Sequence, residues 1–526
     1  MPLPSASAEN PPTRTKRPSI ARNVVSNWGA YALAMMVNFF LSPYVVRHLG
    51  NTGYGVWTLI LSLTGYLGLL DLGVRGAVTR YVAKFHTQLN HKQSSNVASS
   101  ALVIFATAGI LAILVSILMA VFVVPRVHIP EQFQSAARIV VIVTGLSVAA
   151  SLVNGVFGGI LVGLQRFDLS NLIEMTNNLL RAGTIVVALR LGYGIVTLAF
   201  IQLGFTLVRL AANLTLSNKL YPELQLRLTE VDRAGIRLIF SFSFFSFLLH
   251  VSGSLIYATD NVVIGSFLPV AAVTFYVIGG NLADYTRALV SGISQTMTPV
   301  ASSTEAGHNQ SELQRIVLLS SRAGSMVMLP VAITFLLRGS TFIGLWMGPQ
   351  YAELSGKVLR ILSLTLILWA ANAVTAGSVL GVSKHRPLVP VLLGEGITNL
   401  ILSIILIRKM GILGVAWGTV IPGFCSSVLF WPWYIRRTFG IKIAKYAESS
   451  WVRPWLGAIP FVIGSYLFEH YWQANNLVVF FAQVLIALPL APIGYWLVCL
   501  DSEERTRYYQ TLIRSVGRMF AGRLTT

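Results

Sequence analysis

Long apolar runs separated by short polar breaks occupy the chain from residue 24 almost to residue 500. A helix that crosses a bilayer needs about 20 mainly apolar residues. Dividing the chain at its Pro, Gly and charge breaks predicts about fourteen such helices. They fall at 24–46, 56–80, 97–124, 137–163, 171–189, 195–217, 236–257, 270–299, 315–337, 357–381, 388–407, 412–434, 453–470 and 476–499. The expected fold is an all-α polytopic membrane protein. The first 21 residues, rich in Pro, Ser and Arg, are expected to form a disordered tail. They show no cleavable signal peptide, because no small-residue cleavage site follows the first apolar run.

The pattern repeats. At an offset of 219, Leu49 meets Leu268, Trp57 meets Tyr276, Gly73 meets Gly292 and Thr79 meets Thr298. "GILVGLQR" (159–166) meets "GSVLGVSK" (377–384) at 218, and Gly192 and Gly204 meet Gly411 and Gly423 at 219. Six spans per copy is an even number, so both copies point the same way. The expected architecture is two parallel six-helix halves, related by an axis along the membrane normal, plus two C-terminal helices. Transporters with parallel repeats place their substrate between the halves. The expected divisions are a tail (1–21), a first half (22–218), a linker (219–235), a second half (236–437), two extra helices (438–500) and a basic tail (501–526). The GxxxG steps of spans four and ten allow close helix packing.

Composition agrees with this reading and narrows it. Only 11% of residues are charged, against about 25% in soluble domains. The net charge of +20 sits mainly in short loops. With the N-terminus inside, the inner segments hold 25 Lys and Arg and the outer ones nine, which orients both termini toward the cytoplasm. No soluble basic domain exists to bind nucleic acid. Cys425 and Cys499 both lie in apolar runs and suggest neither disulfide nor metal chemistry.

Several charges fall at bilayer depth, where each costs at least roughly 2.5–3.5 kcal/mol unless it faces a partner or a wet cavity. Span two carries Asp71 and Arg75, four apart on one face, with Arg80 nearer the cytoplasm. Span eight carries Asp284 and Arg287. Span five carries Glu174 and Arg181, span six Arg209, span nine Arg322 and span eleven Glu395. Each acid could simply neutralise its neighbour and lock packing. Alternatively, the groups line a cavity between the halves. In that case Arg75 and Arg287, with Arg80 and Arg322, suit a pyrophosphate, which guanidinium binds bidentately. Asp71 and Asp284 belong to the same expected substrate-binding set, and Glu395 or Glu174 could couple transport to a cation. No Walker loop, HExxH, GxSxG or metal-spaced Cys/His cluster occurs. No cofactor is expected, and nothing in the chain suggests an enzyme.

The stretch "NFFLSPYVVRHLGNTGYGVWTLILSLTGYLGLLDLGVRGAVTRYVAKF" (38–85) resembles the first two helices of the bacterial polysaccharide-transporter family, flippases of O-antigen and capsule lipid-linked oligosaccharides. "TDNVVIGSFLPVAAVTFY" (259–276) resembles the start of that family's second half. The family groups with multidrug-and-toxin-extrusion transporters and peptidoglycan-precursor flippases. The resemblance implies two six-helix bundles around a cationic cavity that opens alternately to each side. It implies an inner-membrane carrier of undecaprenyl-pyrophosphate-linked oligosaccharide, working beside a polysaccharide polymerase and a chain-length regulator. It also places Asp260 at a recurrent acidic position, a further ion-coupling candidate. A peptidoglycan-precursor flippase and a cation-coupled multidrug exporter are the alternatives within this fold.

Overall fold

The computed structural model describes residues 20–501 and 504–506. The expected N-terminal tail up to residue 19, and the basic tail after residue 506, lie outside the described residues. Among those described, fourteen long helices account for the fold and no strand occurs. Ten segments are long and apolar enough to cross a membrane; the first of them, Trp28–Thr87, covers two helices.

The helix Ile20–Gly65 kinks at Gly50 (φ 68°, ψ 173°), which separates α1 (20–49) from α2 (51–87). α2 is itself interrupted. Its α-helix gives way to a 3₁₀ stretch, Tyr66–Asp71, then to left-handed Leu72 (φ 50°) and Gly73 (φ 77°), and restarts as Val74–Thr87. The first half continues with α3 (His91–Leu118), α4 (Glu131–Gly163), α5 (Phe167–Arg190) and α6 (Ile195–Leu220). The second half opens with α7, in two pieces, Arg233–Tyr257 and Thr259–Phe267. It continues with α8 (Ala271–Ala306), α9 (Gln310–Trp346), α10 (Leu354–Gly381), α11 (Leu388–Met410) and α12 (Ile412–Phe439). The last two helices are α13 (Arg453–Tyr471) and α14 (Leu477–Val498).

The backbone repeats as the sequence does. Left-handed Leu89 and His308 (both φ 53°) are 219 apart, Gln165 (φ 60°) and Ser383 (φ 56°) are 218 apart, and Gly192 and Gly411 both have positive φ. Non-glycine residues adopt this region uncommonly, so matched pairs mark matched turns. Asn90 and Asn309 cap α3 and α9 alike, each accepting the N–H three residues on at 3.1 Å. Both GxxxG steps are used, each within its own half. A methyl on Gly163 would sit 3.0 Å from the Thr79 carbonyl oxygen of α2; on Gly381 it would sit 2.3 Å from the matching Thr298 oxygen of α8.

The cores differ between the two ends of the molecule. At the end holding Gly50, one core joins both halves: Val56 and Leu59 pack with Val263, Val270, Tyr276 and Trp346. There Thr274 donates to the Asn51 carbonyl at 2.7 Å, and Trp346 Nε1 donates to Phe39 O at 2.9 Å. At the other end two separate cores form, one around Val78, Phe105 and Phe157 that also takes in Ile239 at the start of α7, and one around Val317, Tyr434 and Tyr446 of the second half. The halves therefore share one core at the Gly50 end, while at the other end they meet through α7 and through Trp28 beside Gly292.

α13 and α14 pack on α9 through Phe461, Ala487 and Ala491 against Leu329 and Ile333. Arg338, one residue beyond the expected span 315–337, lies inside α9 and is 1% exposed. It is held by Glu469 of α13 at 3.1 Å and by Gln483 of α14. α9 runs on to Trp346, so hydropathy ended the helix early at a charge that tertiary partners satisfy.

Candidate functional site

The break in α2 builds the first charged cluster. Restarting a helix at Val74 leaves first-turn N–H groups without intrahelical acceptors. Asp71 supplies one: its Oδ1 accepts the Arg75 N–H at 3.4 Å. The side-chain contact between the two is loose, 3.7 Å from Nε to Oδ2, with Arg75 52% and Asp71 23% exposed. Arg75 faces a cleft of about 140 Å³ together with Asn154, Ser170, Glu174, Arg209 and Asn213. Arg209 Nη1 donates to Glu174 at 2.9 Å and Asn213 to Asn154 at 2.8 Å. Arg181 donates to Gln202 at 2.6 Å beside this group. Two guanidiniums and one carboxylate leave the cleft cationic. The restarted helix adds its positive N-terminal dipole.

The second cluster belongs to α7, α8, α11 and α12. Arg287 Nη1 donates to Asp284 Oδ1 at 2.6 Å, and the guanidinium lies 4.8 Å over the Tyr257 ring. Arg287 is 12% exposed and Asp284 55%. Glu395 accepts from Ser426 Oγ at 2.6 Å and lies within electrostatic reach of Arg287. Asp260, 4% exposed, opens the second piece of α7. Its Oδ2 accepts from the Tyr276 hydroxyl and from Thr419 Oγ1, the latter at 2.9 Å, while Oδ1 is buried without a hydrogen-bond partner.

The two expected arginines thus sit in separate clusters, one in each half. Matched helices do not put them at matched depths. The position corresponding to Arg75 in α8 is Ser294, seven residues beyond Arg287, or about 10 Å along the helix. Ser294 donates to the Ala373 carbonyl of α10 at 2.6 Å and carries no charge. Arg80 is exposed on α2; Thr79, not Arg80, is among the described cleft residues. Arg322 is 5% exposed and bound to Glu504 at 2.6 Å and to the Cys499 carbonyl, at the end of α14. Hydropathy marked Arg209 as an intramembrane charge without joining it to Arg75. Asn154 and Asn213 went unread, their only signal being a polar amide in an apolar span.

A helical bundle of two repeated halves, joined by one core at the Gly50 end and carrying charged clusters within its helices, has the architecture of a multi-pass membrane transporter. Residues 20–305 match the family described as polysaccharide biosynthesis protein, more than half of the chain, and the protein belongs to that family. A putative O-antigen transporter of Shigella flexneri is 21% identical over 76% of this chain and 93% of its own length. A probable flippase, AglR, of Haloferax volcanii is 22% identical over 95% and 99%. Among solved structures, the lipid II flippase MurJ in an inward closed conformation matches 94% of the chain and 100% of its own, with TM-score 0.70 and 13% identity. An inward-facing multidrug transporter of the MATE family matches 81% and 99%, with TM-score 0.59 and 16% identity. These structural likenesses bear on the fold.

Proposed function

We propose that the protein flips an undecaprenyl-pyrophosphate-linked oligosaccharide across the bacterial inner membrane for O-antigen, capsule or exopolysaccharide synthesis, without catalysing a reaction. The observation that carries this reading is the cationic cleft at the break of α2. Arg75 is half exposed there and only loosely held by Asp71, so its planar donors are available to phosphate oxygens. Arg209 adds a second guanidinium to the same cleft. The names of the two curated relatives, a transporter and a flippase, support the class of cargo.

Both termini face the cytoplasm in this reading. The Gly50 end, where one core joins both halves, is then periplasmic. The halves 22–218 and 236–437 rock against each other across the 219–235 linker, releasing the glycan outside. Arg287, paired with Asp284 and covered by Tyr257, belongs to the packing of the second half in this reading, and Arg80 draws the headgroup in from the cytoplasmic side. Arg322, clamped to Glu504, anchors the C-terminal segment and stands outside the binding site. Asp260, with its unpartnered oxygen, is the first candidate for ion coupling; Glu395 and Glu174 follow. Delivery outside would feed a polymerase and its chain-length regulator.

The test is transport in proteoliposomes. Lipid-linked oligosaccharide is placed in one leaflet and its appearance in the other is read with a membrane-impermeant glycosidase. The protein should move it faster than empty vesicles do, and Arg75→Ala should not. Equal rates with and without protein would refute the reading. Movement of a peptidoglycan precursor or a cationic drug in its place would transfer the assignment to the other carriers of this fold. Alkaline phosphatase fused after residue 265 should be active, and fused after residue 526 inactive; the reverse pattern would overturn the orientation.

A further inference from the structure

A second concavity adjoins the α2 break and differs from the first in chemistry. It has a volume of about 380 Å³ and an almost wholly apolar lining that includes Leu67, Leu70 and Leu72 of α2, Leu111 and Val115 of α3, and Phe247 of α7. The 3₁₀ stretch creates it. With three residues per turn rather than 3.6, side chains three apart eclipse, so Leu67 and Leu70 stack toward one side of the backbone. Leu111 is 46% exposed, so the groove is open on the α3 side, along a helix whose Leu114, Ile117 and Leu118 are also exposed. In a membrane protein that side faces hydrocarbon.

The groove also crosses the seam between the halves. Phe247 belongs to the second half and the leucines to the first. Tyr66, another lining residue, hydrogen-bonds Thr259 of the second half at 2.6 Å, and Ser62 accepts from Asn261 at 2.9 Å. Asp71 and Arg75 follow directly along the chain, with Arg75 turned into the cationic cleft. An apolar groove open to lipid therefore meets a phosphate-suited arginine within about one helical turn of α2.

We propose that this groove holds the first isoprene units of the substrate's polyprenyl chain, so that the α2 break reads the junction between prenyl chain and pyrophosphate. The inference rests on the flippase reading and deepens it. The occupant follows from the juxtaposition: an amphiphile with a hydrocarbon chain joined directly to a diphosphate fills both sites at once. A free phosphate leaves the groove empty. A diacyl phospholipid places a glycerol and two esters between chain and phosphate, polar groups for which the groove has no matching partners. The seam position gives the chain a lateral exit that changes shape when the halves move.

Binding to the purified full-length protein in nanodiscs tests this, with undecaprenyl pyrophosphate lacking any sugar and inorganic pyrophosphate as probes. Wild type should bind the prenyl compound more tightly. Leu70→Trp and Val115→Trp, which fill the groove, should each weaken that binding at least about tenfold and leave inorganic pyrophosphate unchanged. Unchanged prenyl binding in both filled variants would overturn the proposal, as would equal wild-type affinity for the two probes. A photoactivatable prenyl alcohol, crosslinked to wild type, covers the case in which the filled variants fold poorly. Crosslinks should map to 63–72 and 111–119, and crosslinks confined elsewhere would overturn the groove. Full competition by phosphatidylglycerol would assign it to bulk lipid instead. Prenyl-alcohol crosslinks in the groove without binding of either pyrophosphate would preserve the groove and remove the flippase reading.

Discussion

α2 and α8 occupy corresponding places in the two halves, and each carries an acid–arginine pair, yet the pairs behave differently. In α8 the helix is unbroken from Ala271 to Ala306, the ion pair is 2.6 Å long and Tyr257 covers the arginine. In α2 the helix is broken, the pair is 3.7 Å long and the arginine is half exposed. Gly73 and Gly292 show the difference at one matched position. Gly73 takes φ 77° at the break, while Gly292 stays helical, with Trp28 filling the space beside it. Glycine permits either conformation, so the neighbours decide. A paired, covered arginine is part of the protein's own packing; a loosely held one at a helix break is available to a ligand.

The largest effect should come from the helix contact that supports each arginine's helix. Gly381→Leu forces a side chain against the Thr298 carbonyl, where even a methyl sits 2.3 Å away. It should cost more than the ~1–3 kcal/mol typical of overpacking and remove the protein from the membrane, as read by immunoblot. Gly163→Ala, at 3.0 Å, should lower abundance far less. Equal losses, from a methyl at Gly163 and a whole leucine at Gly381, would mean that the first half packs α2 with less tolerance than the second packs α8.

Next in size, Arg75→Ala should cut surface glycan roughly 10- to 100-fold at near wild-type abundance, corresponding to loss of charged hydrogen bonds worth about 1.5–3 kcal/mol. Exchanging the pair, Asp71→Arg with Arg75→Asp, should leave abundance intact and export absent, because a carboxylate then faces the phosphate. Recovered export would make the α2 pair structural, like that of α8.

Arg287→Ala should instead show mainly as lost abundance, a few-fold, since it strips the partner from Asp284 and uncovers Tyr257. The cost is well below the 3–5 kcal/mol of a fully buried pair, because Asp284 is 55% exposed. Full abundance with abolished export would place Arg287 beside Arg75 as a substrate contact. On export, the smallest effect is expected for Arg322→Met. It frees the segment around Glu504 and should lower the thermal midpoint by a few degrees with export retained. Lost export at normal stability would return Arg322 to the site.

Hydropathy alone determined that the chain is helical, that about fourteen long helices make it up, that their pattern repeats and which of them carry charge. Crossing a bilayer requires about 20 apolar residues whatever the neighbours are, and the matched glycines and turns needed no tertiary contact to be recognised. The charged partners could not be read the same way. Spacing along one helix suggested Asp71 with Arg75 and Asp284 with Arg287, and both pairs formed. It could not join Arg209 to Glu174 across two helices, bury Arg338 between α13 and α14, or send Arg322 to the chain's end. Nor could it break α2 at Leu72–Gly73 while leaving Gly292 helical. A spanning length is a property of one segment against lipid. A partner, a break or a cleft depends on which helices lie side by side, and only the tertiary structure decided that.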